Sequence, residues 1–219
     1  MNTSPSSFRS VTLCAAGLCL VGFGCSLLNP PKGVTPSAFV LTPIPADPLS
    51  TQSGSTNMIV GIKRVKVAEY LSDKSFAMRQ GGNEIVYLES VQWAERLDTS
   101  LQRVLAANLG TLIPTDRVRL SLWAPEAVAV EVEVSVERFD VDSRGEGVLM
   151  AWWRVLSQGG EKVLASGRFS ATRKGPPPNT DPGGAAASMS SLAADLADKL
   201  AQAIKRPEAH PGQAAYIRR

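Results

Sequence analysis

The stretch from Asn83 to Gly110 constrains the fold of this 219-residue chain more than any other. Its apolar residues recur every four positions, and that spacing places them on one face of a helix. Ile85 to Leu88 predicts a strand before the helix, and Gly110 predicts its end, because helices often close on a residue that tolerates positive φ. A sheet must therefore cover the apolar face. The face consists of Trp93, Leu97, Leu101, Leu105 and Leu109.

The segments before this helix read as strands. Met58 to Val67 alternates, but the alternation slips at Lys63-Arg64, which predicts a bulge or a strand that leaves the sheet. Phe76 to Arg79 and Ile85 to Leu88 flank a turn with two glycines, so they predict a hairpin. An earlier short strand is predicted at Phe39-Val40-Leu41.

The segments after the helix predict more strands and a second helix. Arg117 to Trp123 alternates strictly, and three longer runs then predict an antiparallel meander. Gly175 to Gly184 predicts a loop, after which Ser190 or Ser191 would cap a final helix that Pro207 stops. The order predicts an α/β fold, with helices packed on a mixed sheet. The meander runs are Ala127 to Asp140, Val148 to Leu156 and Val163 to Thr172.

The N-terminus predicts an export signal that ends at a cysteine. Val11 to Phe23 is apolar, follows a polar start with one arginine, and is short for a membrane span. The small residue Gly24 precedes Cys25, as in a bacterial lipoprotein signal, so residues 1–24 are predicted to be removed and Cys25 to be lipidated. A plain secretory signal and an uncleaved anchor reaching Leu28 stay open as alternatives.

The composition divides the rest of the chain. Residues 25–57 are rich in proline, serine, threonine and glycine and predict a tether, whereas 58–206 predict one domain with a first strand from residue 38. Residues 207–219 predict a disordered tail. The net charge of +3 is small and its basic residues are scattered, which argues against nucleic-acid binding.

The chain predicts no catalytic, metal or cofactor site. Its three cysteines lie within the first 25 residues, and its one histidine, His210, lies in the tail. Carboxylates two apart on one strand predict a solvated acidic row, with a cation site as the less favoured interpretation. Trp152 and Trp153 must point to opposite faces, one into the core and the other to an edge, a helix or a binding surface. The acidic row is Glu131, Glu133 and Glu137.

Several of these segments together resemble one family. Gly82–Tyr87 (GNEIVY) and Gln92–Leu97 (QWAERL), followed by Leu105–Leu109 (LAANL), resemble the signature of the ABC-type transport auxiliary lipoproteins of the PqiC/YmbA type. Val132 to Asp140 and the strand from Gly145 to Trp153 resemble that family's later strands. The resemblance covers nearly the whole chain after the signal.

The resemblance implies a three-layer α/β sandwich with a mixed sheet. It also implies a lipoprotein held to the periplasmic face of the outer membrane through Cys25, with Ser26 fitting the outer-membrane sorting pattern. Such a protein would work, without catalysis, beside an MCE-domain protein and an ABC permease and ATPase that move phospholipids or other hydrophobic molecules. Whether it forms a homo-oligomer stays open.

Three other functions remain alternatives. The first is a structural or regulatory envelope lipoprotein, such as an activator of a cell-wall synthase. The second is a hydrolase that uses carboxylates such as Glu131 or Glu133. The third is a lipid carrier, which would need an internal apolar cavity.

Overall fold

The structure is a computed structural model that describes residues 35–45, 58–113, 115, 117–120, 124 and 127–206. The predicted signal, Cys25, most of the tether and the tail lie outside the described residues. The described part of the chain forms one mixed sheet and two α-helices. The strands are β1 (Ser37–Phe39), β2 (Val60–Ile62), β3 (Lys66–Val67), β4 (Ser75–Gln80), β5 (Glu84–Trp93), β6 (Val118–Leu120), β7 (Val130–Asp142), β8 (Glu146–Ser157) and β9 (Val163–Lys174). The helices are α1 (Leu97–Leu112) and α2 (Pro182–Lys205).

Strand β7 is the centre of the sheet. Along one edge it pairs antiparallel with β8, and along the other it pairs parallel with β2, β3 and β4 in turn. The slip predicted at Lys63-Arg64 is therefore confirmed, because the chain leaves β7 between β2 and β3 and then returns to the same edge. Beyond β2, the short strand β6 extends the sheet by one more parallel pairing.

The predicted hairpin is confirmed as β4 and β5, which pair antiparallel around a turn in which Gly81 has φ +68°. Strand β5 is longer than predicted and ends at Trp93. The prediction that Trp93 opens the helical face is therefore wrong: it lies in the sheet, where its ring stacks on Phe76 with centroids 4.8 Å apart. Strand β1 pairs parallel with the end of β5, slightly earlier than the strand predicted at Phe39-Val40-Leu41.

Helix α1 confirms the predicted apolar face, since its four leucines at the predicted spacing are all buried in the core. Gly110 does not end the helix, which continues to Leu112 and closes at Ile113 with extended backbone. The reason lies in packing: Ile113 is buried and so prolongs the apolar face past the glycine. Gly110 instead lies close to β6, where a Cβ would meet Val118 at 3.9 Å.

The predicted meander is confirmed as β7, β8 and β9, which pair antiparallel over nearly their full lengths. The valines of β7 point to the helices until the register shifts between Val136 and Arg138. That bulge shifts the alternation by one residue, so Phe139 and Val141 point toward the core, where both are buried. The opposite face of β7 and β8 is consequently open to solvent over part of its length.

Helix α2 begins eight residues before the predicted cap at Ser190. Asp181 is the residue that caps it, and its carboxylate accepts a hydrogen bond from the amide of Gly184 at 2.8 Å. Pro182 follows at the first helical position, where its fixed φ fits and its missing N–H costs nothing. Ser190 lies inside the helix, and its hydroxyl donates to the carbonyl of Ala186. The loop predicted up to Gly184 is therefore shorter than expected.

The core lies between the helices and the sheet. Helices α1 and α2 contact each other, and α2 also contacts β7, β8 and β9. This sandwich-like arrangement of a curled mixed sheet with a central helix and a long C-terminal helix confirms the predicted α/β class. The four-residue repeat of α2 points into this core, as predicted. The repeat consists of Leu192, Leu196, Leu200 and Ile204.

Candidate functional site

The candidate site centres on an exposed tryptophan. It lies on the open face of the meander, which is the face of β7, β8 and β9 that the helices do not cover. Trp152 on β8 is 51% exposed, and its indole N–H donates to Glu137 Oε1 at 2.7 Å. Arg168 on β9 donates to the other oxygen of Glu137 at 3.0 Å, and its guanidinium lies 5.4 Å from the centre of the Trp152 ring. We call these three residues the Trp152 cluster. These contacts hold an exposed aromatic ring in a defined orientation.

The register of the strands explains the cluster. Trp152 pairs directly with Arg168 across the β8–β9 ladder, so the two side chains share one face. Glu137 is the residue at which β7 bulges, and it reaches the indole from the neighbouring strand. Trp153 points the other way and is 5% exposed. The prediction that the two tryptophans take opposite faces is confirmed.

A groove of about 490 Å³ extends from Trp152 toward the point where the chain leaves β2. Its floor carries a network of ions: Lys63 lies 2.9 Å from Glu131 and 3.0 Å from Glu133, and Arg154 donates to the same Glu133. The hydrogen bonds that Lys63 donates to Glu131 and Glu133 raise its pKa above the ordinary value. Burial acts to raise the pKa of Glu133, but the hydrogen bonds from Lys63 and Arg154 outweigh it and hold that pKa below its ordinary value.

This network corrects the predicted solvated acidic row. Glu131 is only 4% exposed, Glu133 is partly buried, and each of the three carboxylates contacts a cation. The cations come from β8, from β9 and from the residue after β2, which the strand pattern of β7 alone does not reveal. Within the described ranges no group of three or more His, Cys, Asp or Glu residues is placed to hold a metal ion.

A second polar cluster, which we call the Asp140 cluster, lies where β7 meets β4. Asp140 is fully buried, and its carboxylate accepts hydrogen bonds from Tyr70 at 2.7 Å, from Arg79 at 2.9 Å and from Arg138 at 3.0 Å. Burial raises the pKa of Tyr70 to about 12, with a further contribution from the Asp140 hydrogen bond. A tyrosine with this pKa stays protonated near neutrality and is a poor general base. The cluster joins β4, β7 and the turn at Glu69–Leu71.

The sequence interpretation missed the Asp140 cluster and the partners of Trp152. No local signal marks them, because the four members of the first cluster come from three separate segments. The one residue to which we assigned a modification, Cys25, lies outside the described residues, as does His210. Over the part of the chain that is described, no helix is both long and apolar enough to cross a membrane.

Fold and surface together describe an α/β domain whose candidate site is an exposed face rather than an enclosed reaction centre. A family model for the ABC-type transport auxiliary lipoprotein component matches residues 39–201. The chain therefore belongs to this family of auxiliary lipoproteins, which is not a known enzyme family. No curated protein matches the chain.

Two solved structures share the fold at low sequence identity. Protein XCC0632 from Xanthomonas campestris is 17% identical with a TM-score of 0.58, and the match covers 77% of this chain and 91% of that one. An uncharacterized protein is 19% identical with a TM-score of 0.56, over 78% of this chain and 96% of that one. A dodecameric PelC from Paraburkholderia phytofirmans matches less well, at 16% identity with a TM-score of 0.41, over 65% of this chain and 83% of that one.

Proposed function

We propose that this chain is a periplasmic lipoprotein that serves as a non-enzymatic auxiliary subunit of an MCE/ABC-type transport system. Cys25 would carry the lipid that anchors it to the outer membrane, and the system would move phospholipids or other hydrophobic molecules across the envelope. The observation that carries the proposal is the family match over residues 39–201. The apolar run of residues 11–23, the cysteine that follows it and the proline-rich stretch after that support an anchored and tethered domain.

We place the docking surface for the MCE-domain partner on the Trp152 cluster. Partner-binding surfaces concentrate their energy in a few aromatic and arginine residues surrounded by polar groups. Trp152 has half of its surface free, and its neighbours Glu137 and Arg168 already satisfy each other's charge. A partner that covers the ring would therefore bury apolar area without leaving either ion unpaired.

The first experiment tests the anchored subunit as a whole. Tagged wild-type protein and a Cys25→Ala variant are crosslinked in whole envelopes and purified. We expect wild type to capture an MCE-domain protein, and the Cys25→Ala variant to lose that protein and to leave the outer-membrane fraction. If wild type captures cell-wall enzymes instead, the protein is a regulatory envelope lipoprotein and the transport assignment is wrong.

The second experiment tests the docking surface. Trp152→Ala is compared with Tyr87→Ala, which removes another aromatic ring of similar exposure from the edge hairpin. We expect Trp152→Ala to reduce capture of the partner by about tenfold or more, as loss of a central aromatic side chain commonly does. Tyr87→Ala should leave capture near the wild-type level. Equal losses of capture in both variants would contradict a docking surface at Trp152. They would leave the anchored-subunit proposal unaffected.

A further inference from the structure

A second cavity, on the other side of the meander, lies between the last turns of α2 and strand β9. Its volume is about 520 Å³. Strand β9 forms an edge of the described sheet, since it pairs with β8 alone. The indole of Trp153 and the backbone at Gly167 form one wall, and side chains of α2 form the other. We call this cavity the α2–β9 cleft.

The charge around the α2–β9 cleft is positive. Lys199, Lys205 and Arg206 line it and are exposed, and none of them makes an ion pair within the described ranges. Arg168 also lines it, but its guanidinium is bound to Glu137 on the opposite face of the sheet. None of the described residues that line the cleft is acidic. Cations that line one cleft and make no ion pair repel one another, so an anion in the cleft would relieve that repulsion.

A buried hydrogen-bond donor belongs to one of the residues that line the same cleft. Trp153 is 5% exposed, and its indole nitrogen has no acceptor among the described residues. Buried N–H groups in folded proteins are nearly always paired, so we expect the indole N–H of Trp153 to have an acceptor. Gly167 lets the backbone of β9 lie against that edge of the ring, because a Cβ there would be 2.9 Å from Cζ2 and 3.5 Å from Nε1. The ammonium of Lys199 lies 6.0 Å from the centre of the same ring.

We propose that the α2–β9 cleft binds a phosphate group. The indole N–H of Trp153 donates one hydrogen bond to a phosphate oxygen, and Lys199, Lys205 and Arg206 supply the opposing charge. The phosphate comes either from the headgroup of a phospholipid or from a soluble phosphate. This site is separate from the Trp152 cluster and does not depend on the transport assignment.

The test follows the indole N–H signals in nitrogen–proton NMR spectra. The full-length chain, labelled with ¹⁵N and held in an uncharged detergent, has four tryptophans, and Trp153→Phe identifies the signal of Trp153. Sodium phosphate is added at constant ionic strength. We expect the Trp153 signal to move downfield and to saturate, while the signal of Trp152 stays in place.

Two lysine variants make the result specific. Lys199→Ala removes a cation of the cleft, and Lys174→Ala removes the same charge from the far end of β9, outside the cleft. We expect Lys199→Ala to weaken phosphate binding by about tenfold, in the range of one lost charge-assisted hydrogen bond, and Lys174→Ala to change it by less than about twofold. If Trp153→Phe does not fold, as judged by circular dichroism, the two lysine variants still decide the question.

The two sources of phosphate are separated in a parallel titration with phosphatidylglycerol dissolved in the same detergent. Saturation at a lower phosphate concentration with the lipid identifies a headgroup site, and equal or tighter binding of inorganic phosphate identifies a site for a soluble anion. The proposal is overturned if neither addition moves the Trp153 signal, which would leave water as the acceptor. It is also overturned if Lys174→Ala weakens binding as much as Lys199→Ala.

Discussion

Trp152 and Trp153 are neighbours in the sequence and lie on opposite faces of β8, where they are held in different ways. Trp153 is enclosed by the apolar core beneath α2, whereas Trp152 is held in place by Glu137 and Arg168 and keeps half of its surface free. Apolar packing stabilises the face that the helices cover. On the open face, polar contacts order the exposed side chains and leave them accessible. The open face is thus the one that can bind a macromolecular partner without disturbing the core.

The largest predicted difference between the two faces is in stability. Leu105→Ala removes a fully buried side chain of α1 and should lower the free energy of unfolding by about 3–5 kcal/mol. Trp152→Ala should lower it by about 1 kcal/mol or less, because the ring is exposed and its cation–π contact lies at the surface. Urea unfolding followed by far-UV circular dichroism measures both. A loss of similar size in the two variants would contradict the division between the faces.

The Asp140 cluster sharpens the comparison, since it places a charge in the core. Asp140→Asn leaves Arg79 and Arg138 without their carboxylate and should cost about 2–4 kcal/mol, reduced by the partial exposure of the two arginines. Asp195→Asn is the matched control, because Asp195 pairs with Arg173 at the surface and should cost less than about 1 kcal/mol. Denaturant midpoints of the two variants should differ clearly, and equal midpoints would show that the Asp140 cluster contributes little.

Gly167 tests how tightly Trp153 is packed. Gly167→Ala would bring a Cβ to 2.9 Å from the indole and should lower stability by about 1–3 kcal/mol. Gly82→Ala in the β4–β5 turn meets no atom within 4 Å and has ordinary backbone angles, so it should be neutral or slightly stabilising, by up to about 1 kcal/mol. Thermal unfolding of both variants provides the measurement. If Gly167→Ala is as stable as Gly82→Ala, the wall of the α2–β9 cleft is looser than described.

The smallest predicted effect is a pH dependence of the open face. The pKa of Glu133 is lowered in the folded protein, so its ion pairs stabilise the fold above the ordinary carboxyl pKa and are lost as pH falls through the folded value. The pKa of Lys63 is raised, so its contribution is complete below its ordinary value and is lost as pH rises through the folded one. Both side chains are partly exposed, so the contribution should stay under about 1 kcal/mol.

The Glu133→Gln variant isolates that contribution. Its unfolding free energy should fall less steeply with acidification than that of wild type, while the two proteins behave alike near neutral pH apart from a constant difference. Urea midpoints measured across the acidic range decide the question. An unchanged slope in the variant would mean that other carboxylates cause the acid sensitivity.

The sequence predicted those parts of the fold that depend on local patterns. The apolar face of α1, the β4–β5 hairpin, the meander and the break after β2 all follow from periodicity and turn residues. Errors arose where two local signals competed. Gly110 looked like a helix end although Ile113 continued the apolar face, and the cap at Asp181-Pro182 was hidden within a run rich in proline and glycine.

The candidate surface was predictable only in outline. Adjacent tryptophans on a strand must point apart, so one exposed ring was expected. Its partners were not, because Arg168 lies 31 residues from Glu137 and Lys63 lies 70 residues from Glu133. The register between strands brings these residues together, and no local pattern encodes it. The role of Cys25 stays a prediction.

The most direct test of the proposed docking surface places a photoreactive amino acid at one position of each face. Ser135, which is exposed and pairs with Trp152 across the β7–β8 ladder, and the exposed Asp198 of α2 are replaced in turn, and whole envelopes are irradiated. We predict a crosslink from position 135 to an MCE-domain protein and none from position 198. A crosslink from position 198 with none from position 135 would contradict the assignment of the open sheet face as the docking surface.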